Sequence, residues 1–210
     1  MRRTAMQALP ATLLCLPPPA CSNRTAMPST PLTKHLFLIG YRGTGKTTVA
    51  SILAALLQTR WIDLDVVIET KAGKTISELF TEGGEPLFRD WETRCLQESI
   101  ESDGPPQVIS LGGGAVLREE NRDFIADNGH CVWLTASPET IAQRIGADAT
   151  TAARRPALTD LSPTDEIKSV LTAREPIYRE ASHYAVSTES LAPAEVADQI
   201  TQWLDSLATP

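Results

Sequence analysis

A glycine-rich segment near residue 40 carries the residue types that hold the phosphates of a nucleotide. It reads Gly40-Tyr41-Arg42-Gly43-Thr44-Gly45-Lys46-Thr47-Thr48 and fits the pattern G-x-x-x-x-G-K-[ST]. Glycines let the backbone curl so that successive N–H groups point at an anion, and a helix N-terminus adds its positive dipole end. Lys46 would reach the β- and γ-phosphates, and the Thr47 hydroxyl would bind Mg²⁺. We therefore predict a site for ATP that is formed by Gly43, Thr44, Gly45, Lys46, Thr47 and Thr48.

Two carboxylates follow at Asp63 and Asp65. We predict that Trp61–Asp65 is a short strand, and open α/β sheets bind their ligands at the carboxyl ends of strands. The spacing of two would place both side chains on one face of an extended backbone. One carboxylate can hold Mg²⁺ through water, and the other can accept a proton from an attacking hydroxyl group. The alternative is that Asp65 only caps the helix that follows.

Three consecutive glycines, Gly112, Gly113 and Gly114, come directly after a predicted strand. Glycine permits close approach of the backbone to a ligand, and a plain turn rarely needs three of them. A P-loop protein usually has an aspartate at the end of such a strand. This chain has Ser110 there, so the role in binding Mg²⁺ moves to Asp63.

Three arginine positions are candidates for binding anionic groups. Arg89 lies in a helical pattern and could fork a substrate carboxylate, or it could be an ordinary solvated side chain. Arg155 belongs to an aperiodic segment that is either an exposed basic loop or a lid that closes on the phosphates. Arg174 could be a second carboxylate ligand or a surface charge.

Strand and helix patterns alternate from His35 onwards. Strands separated by helices predict a parallel sheet with helices on both faces. The predicted strands are Leu36–Ile39, Trp61–Asp65, Gln107–Leu111, Cys131–Thr135 and Tyr184–Ser187. Helices are predicted after Lys46, over Val66–Ala72, Ile76–Glu82, Glu85–Glu101 and Glu119–Asn128, from Pro138, from Ser162 to about Ala181 with an interruption at Pro176, and over Pro193–Leu207.

The composition of the chain argues against certain binding partners and certain cellular compartments. A net charge of −7 over 210 residues argues against a nucleic-acid surface, which needs a basic face. No apolar run approaches the roughly 20 residues of a membrane span. The four cysteines form no C-x-x-C pair, which favours buried reduced thiols in a reducing compartment over zinc or disulfides. We expect a cytoplasmic monomer that binds neither nucleic acid nor membrane.

Residues 1–33 differ from the rest of the chain because they are rich in Pro, Ala, Ser and Thr and contain no Asp or Glu. Prolines break the apolar core that a secretory signal needs. A plastid transit peptide fits the missing acids, but the segment has only three arginines. We predict a disordered N-terminal extension, with Met27 as a plausible true start, followed by one domain over residues 34–210.

These motifs occur in an order and at distances that resemble the shikimate kinase family. The resemblance covers roughly residues 35–208 and rests on the P-loop, on Asp63-x-Asp65, Phe88-Arg89, Gly112-Gly113-Gly114 and Arg155-Pro156, and on Arg174-x-Pro176-x-Tyr178. It implies a P-loop NTPase fold like that of nucleoside monophosphate kinases, a three-layer α/β/α sandwich with a five-stranded parallel sheet and a mobile lid at about residues 146–160. It implies ATP-dependent phosphorylation of the 3-hydroxyl of shikimate, in the pathway to aromatic amino acids.

The resemblance also implies a role for each site residue. Lys46, Asp65 and Arg155 are catalytic, with Asp65 as the base and Arg155 on the ATP phosphates. Shikimate is bound by Asp65, Arg89, Gly112, Gly113, Gly114 and Arg174, and Mg²⁺ by Thr47 and Asp63.

Three rival functions share the P-loop. A GTPase would need an Asn/Thr-Lys-x-Asp tetrapeptide, which does not occur in the sequence. A non-catalytic nucleotide-binding module would not need Lys46, Asp65 and Arg155 together. Another small-molecule kinase, such as a gluconate kinase, is the nearest alternative.

Overall fold

The computed structural model describes residues 31–100, 104–147 and 162–208. Most of the predicted N-terminal extension, with Met27, and most of the predicted lid, with Arg155, lie outside these residues. The domain boundaries at residues 33 and 34 and the lid therefore stay predictions.

A five-stranded parallel sheet forms the centre of the molecule, in the order β2-β3-β1-β4-β5. β1 lies in the middle of this order, and the P-loop leaves its carboxyl end. Such a position, between strands on either side, is where open α/β sheets form their ligand crevice. The strands are β1 His35–Ile39, β2 Trp61–Asp63, β3 Val108–Ser110, β4 Gly129–Thr135 and β5 Tyr184–Ser187.

Helices connect the strands and cover both faces of the sheet. Alternate side chains of β1 point to opposite faces: Phe37 and Ile39 pack against α2, α3 and α6, whereas Leu36 and Leu38 pack against α1 and α7. This is the three-layer α/β/α architecture that the sequence predicts. The helices are α1 Lys46–Leu56, α2 Leu64–Ala72, α3 Ile76–Glu98, α4 Glu119–Asn128, α5 Pro138–Ala147, α6 Pro163–Ala181 and α7 Pro193–Ala208, with a 3₁₀ turn at Ala115–Leu117.

The prediction that Trp61–Asp65 is a strand was wrong at its carboxyl end. β2 ends at Asp63, and Asp65 lies in the first turn of α2. The cause is local, because the Asp63 side chain accepts a hydrogen bond from the Asp65 N–H and so caps the helix. The two carboxylates therefore do not share one face of an extended strand. The capping residue is Asp63 and not Asp65.

A break inside α3 confirms the predicted separation of Ile76–Glu82 from the helix that begins at Glu85. Gly84 takes non-helical angles of φ 67° and ψ −164° between the two helical parts, and the second part ends at Glu98 and not at Glu101. The expected interruption at Pro176 is absent, since α6 runs unbroken through it from Pro163 to Ala181.

Two further expectations can be compared with the described part of the chain. Cys95 and Cys131 are both buried free thiols, as predicted. Among residues 31–100, 104–147 and 162–208, no helix combines the length and the apolar character that crossing a membrane requires.

Candidate active site

The phosphate loop joins β1 to α1 through three glycines with positive φ angles. Gly40, Gly43 and Gly45 have φ values of 136°, 81° and 88°, which residues with a side chain rarely adopt. Space is limiting too, because a Cβ on Gly40 would lie 2.4 Å from the carbonyl oxygen of Leu134. The loop therefore needs glycine for its shape, and this shape aims the start of α1 at the pocket.

Lys46 is the first residue of α1 and is buried. Its Nζ donates hydrogen bonds to the carbonyl oxygens of Gly40 at 2.8 Å and Tyr41 at 2.9 Å. The hydroxyl of Thr44 also donates to the Tyr41 carbonyl, at 2.8 Å. The amine thus fastens the loop while it stays close enough to reach a phosphate.

Asp63 faces the start of α1. Its Oδ2 accepts a 2.7 Å hydrogen bond from the Thr47 hydroxyl, and it pairs in register with Ser110 on β3. Burial, and then the charge of Asp65, raise the pKa of Asp63, although the Thr47 hydroxyl opposes this. A hydroxyl and a carboxylate oxygen at one point are the hard ligands that Mg²⁺ prefers.

Within the described residues, no group of three or more His, Cys, Asp or Glu side chains could hold a metal ion. Mg²⁺ seldom needs such a group, because it keeps several waters and takes phosphate oxygens from its substrate. The pair of Thr47 and Asp63 could therefore supply the protein ligands of a magnesium site.

Asp65 and Glu92 converge on the first glycine of the Gly112–Gly114 loop. A Cβ on Gly112 would lie 2.6 Å from Glu92 Oε1 and 3.0 Å from Asp65 Oδ1. Glu92 is fully buried. Only a residue without a side chain leaves both carboxylates where they are, which explains a glycine at this position.

Arg89 projects from α3 onto the last glycine of the same loop. A Cβ on Gly114 would lie 2.2 Å from Arg89 Nη2, so the guanidinium rests directly on the backbone. Burial opposes its charge, but the carboxylates of Glu92 and Glu85 outweigh burial and raise the pKa of Arg89. The arginine therefore stays charged beside the pocket.

Arg174 and Tyr178 reach the middle glycine from α6. Arg174 Nη1 donates a 3.2 Å hydrogen bond to the Gly113 carbonyl oxygen. The buried Tyr178 hydroxyl donates to the same oxygen, and its ring lies 5.7 Å from that of Trp133 between centroids. Arg174 and Tyr178, which lie one turn apart on α6, therefore both bind the glycine loop.

These elements enclose a pocket of about 250 Å³ at the carboxyl ends of β1, β2 and β3. It joins the phosphate loop to the two aspartates and the glycine loop. Of the described residues that were predicted for the site, Thr44, Arg89, Gly114 and Arg174 stand outside this lining, and the last three adjoin it through the glycine loop. The lining residues are Arg42, Gly43, Gly45, Lys46, Thr47, Thr48, Asp63, Asp65, Ile76, Ser110, Leu111, Gly112 and Gly113.

Comparison with known proteins identifies the family. The shikimate kinase family model matches residues 42–205. A shikimate kinase from Rhodopirellula baltica is 48% identical over 167 residues, which cover 80% of this chain and 88% of that protein. The chain belongs to the shikimate kinase family.

Solved structures agree with this family assignment. A shikimate kinase from Acinetobacter baumannii in complex with shikimate superposes with a TM-score of 0.77 at 35% identity, and the match covers 84% of this chain and 96% of that one. A gluconokinase from Sinorhizobium meliloti reaches a TM-score of 0.54 at 15% identity, which shows a shared fold and no more. The nearest rival named from the sequence is thus a distant neighbour of this shikimate kinase family member.

Sequence reasoning missed several residues at the pocket and beside it. Glu92 binds Arg89 at 2.5 Å, and four unpredicted residues line the pocket: Arg42, Ile76, Ser110 and Leu111. Arg42 lies at a variable position of the P-loop pattern, so the motif gave no signal for it. The sequence did contain a signal for Glu92, because it follows Arg89 by three residues on a predicted helix and side chains at that spacing are neighbours.

Another missed residue, Arg144 of α5, connects the P-loop to the loop after β5. Its guanidinium donates to the Thr188 hydroxyl at 2.9 Å, to the Thr188 carbonyl at 2.6 Å and to the Gly43 carbonyl at 3.4 Å. Glu189 fastens the same loop to α5, and the hydroxyl of Thr140, followed by the backbone and hydroxyl of Ser137, lowers the pKa of Glu189 to about 2. No motif signalled this connection.

Proposed function

We propose that this member of the shikimate kinase family transfers the γ-phosphate of ATP to the 3-hydroxyl of shikimate. The observation that carries the proposal is one pocket that joins a P-loop lysine to the carboxylates of Asp63 and Asp65 and to a glycine loop. A phosphate donor and a hydroxyl acceptor can therefore meet in it. The products would be ADP and shikimate 3-phosphate.

The donor end is the phosphate loop. Backbone N–H groups of Gly43 to Thr48 would cradle the phosphates of ATP, and Lys46 would neutralise the oxygens of the γ-phosphate. Thr47 and Asp63 would hold Mg²⁺, which when bound spreads the negative charge of the triphosphate. Arg155, outside the described residues, would close over the phosphates from the lid.

The acceptor end is the glycine loop with its two arginines. Arg89 on Gly114 and Arg174 on Gly113 would bind the carboxylate of shikimate, since a guanidinium matches a carboxylate with paired hydrogen bonds. The glycines let the ring approach the backbone. Asp65 would then lie at the hydroxyl groups, between the acceptor and the phosphates.

Asp65 would take the proton of the 3-hydroxyl. As the hydroxyl oxygen bonds to the γ-phosphorus, the bond from phosphorus to the bridging oxygen of ADP breaks, and the displaced proton moves to the carboxylate. The main contributions are positioning and charge stabilisation, as in other phosphoryl transfers.

A coupled assay of ADP release tests the assignment. With ATP and Mg²⁺ we expect turnover of shikimate, and a kcat/KM lower by about 100-fold or more for gluconate and AMP, because a polar site rejects a ligand that leaves its buried donors unpaired. Quinate, a hydroxylated ring acid similar to shikimate, is assayed beside it to test whether the site distinguishes closely related acceptors. Equal turnover of gluconate would contradict the proposal.

Glycine 114 offers a test of the acceptor site alone. We expect Gly114→Ala to raise KM for shikimate by about tenfold, because the new methyl group displaces Arg89 and one charged hydrogen bond is worth about that factor. KM for ATP should change little. An unchanged KM for shikimate would remove Arg89 from the acceptor site.

We also propose a cellular compartment and an oligomeric state for the enzyme. Relatives such as the Rhodopirellula baltica protein are bacterial, and we propose a cytoplasmic monomer. The plastid alternative depends on residues 1–33, most of which lie outside the described part of the chain.

A further inference from the structure

Arg89 binds two carboxylates in this structure, and the two differ in burial. Its Nη1 donates to Glu92 Oε2 at 2.5 Å, and Glu92 is fully buried. Its Nε and Nη2 donate to Glu85 Oε1 at 3.1 and 2.9 Å. The side chain of Glu85 is 57% exposed. One partner is therefore fixed inside the protein, and the other is at the surface.

Glu85 occupies the edge of the guanidinium that a carboxylate forks. Nε and Nη2 point the same way, so that two oxygens of one carboxylate can accept one hydrogen bond each. Glu85 gives both donors a single oxygen. A ligand carboxylate that offers both of its oxygens would make the better pair at this edge.

The backbone around Glu85 permits its side chain to leave. Gly84, the preceding residue, takes non-helical angles at the bend of α3, and Pro86 follows. Glu85 thus begins the second half of the helix, where side chains have no preceding turn to pack on. Water can solvate the exposed carboxylate of Glu85 when it leaves, and Glu92 stays on the guanidinium of the buried Arg89, so that the departure of Glu85 does not leave the arginine without a carboxylate.

We propose that Glu85 is an internal competitor that occupies Arg89 when the acceptor site is empty and is displaced by the carboxylate of the acceptor. This inference rests on the proposed function, since it needs shikimate at Arg89. The contact compensates a largely buried positive charge between turnovers. Its return would also help to expel the product, which carries the same carboxylate.

Isothermal titration of the full chain with shikimate tests the competition. We expect Glu85→Gln to lower the Kd of shikimate by about threefold to tenfold, because a neutral amide competes less well for a guanidinium than a carboxylate does. The methyl ester of shikimate, which has no carboxylate, should gain nothing. Glu98→Gln is the matched control: Glu98 pairs with Arg94 on the same helix, four residues apart at 2.8 Å, away from the pocket.

The outcomes separate this inference from the assignment of function. A Kd that is unchanged or higher in Glu85→Gln, in a chain that binds and phosphorylates shikimate, would overturn the competition alone. Absence of shikimate turnover in the unaltered chain would overturn both. An equal gain for the methyl ester would show that Glu85 acts on the pocket in general and not on the carboxylate. Glu85→Ala, which removes the side chain altogether, should lower the Kd in the same direction, and equal melting temperatures would confirm intact folding.

Discussion

Replacing Lys46 by alanine is expected to lower kcat/KM for ATP by about 10³-fold, the scale of a lost charged contact to the transferred phosphoryl group. The side chain is buried, and its Nζ lies 2.8 Å from the Gly40 carbonyl oxygen and 2.9 Å from that of Tyr41. Its loss therefore removes a charge from the phosphate site and two hydrogen bonds from the loop. Steady-state kinetics with varied ATP measures the effect.

The two consequences of this change can be separated. Loss of the loop contacts should lower the melting temperature without any nucleotide, whereas loss of the charge should appear only in the kinetics. Lys34→Ala is the matched control, because Lys34 is exposed just before β1 and its removal changes the net charge equally. A decrease of less than tenfold in kcat/KM would mean that Lys46 serves the loop and not the phosphates.

Local patterns in the sequence were enough to predict the backbone elements that form this site and the edge of the sheet where they meet. The P-loop needs glycines with positive φ, and Gly40, Gly43 and Gly45 have them. The alternation of Leu36 to Ile39 between two helical layers follows from the period of a strand. Because parallel strands bring their carboxyl ends to one edge, the P-loop, Asp63 and the glycine loop had to meet there.

The errors arose where two local signals competed. Asp63 and Asp65 fit both a strand of period two and a helix start, and the capping hydrogen bond from the Asp65 N–H to Asp63 decided for the helix. At Pro176 the proline indicated an interruption, but α6 runs through it. At Gly83-Gly84 the glycines correctly indicated a break, since Gly84 takes non-helical angles.

Contacts between distant elements could not be predicted from local patterns. Tyr178 donates to Gly113 across 65 positions, and Arg144 reaches Gly43 across 101. Arg144 is one of several arginines in helical patterns, and the motif that contains Tyr178 does not indicate which backbone group its hydroxyl binds. Their roles depend on which elements the fold places side by side, and this is information that only the structure contains.

Asp65→Asn should lower kcat by about 10²- to 10⁴-fold, the range of general base catalysis, with KM for ATP nearly unchanged. The amide keeps the shape of the carboxylate beside Gly112, where a Cβ on that glycine would lie 3.0 Å from Asp65 Oδ1, but it cannot accept a proton. Capping of α2 is retained as well, because Asp63 provides the cap.

Retention of the cap is what makes the experiment decisive. If Asp65 served only the helix, its replacement by asparagine would leave kcat near normal and the melting temperature slightly changed. If it served only to bind hydroxyl groups, the Kd of shikimate would rise and kcat at saturating shikimate would stay near normal. Asp90→Asn is the matched control, because Asp90 is an exposed carboxylate that binds Arg118 at 2.6 Å away from the pocket. A large loss of kcat with a Kd within about threefold of the original value is the result expected of a base, since the change then falls on the transition state and not on binding.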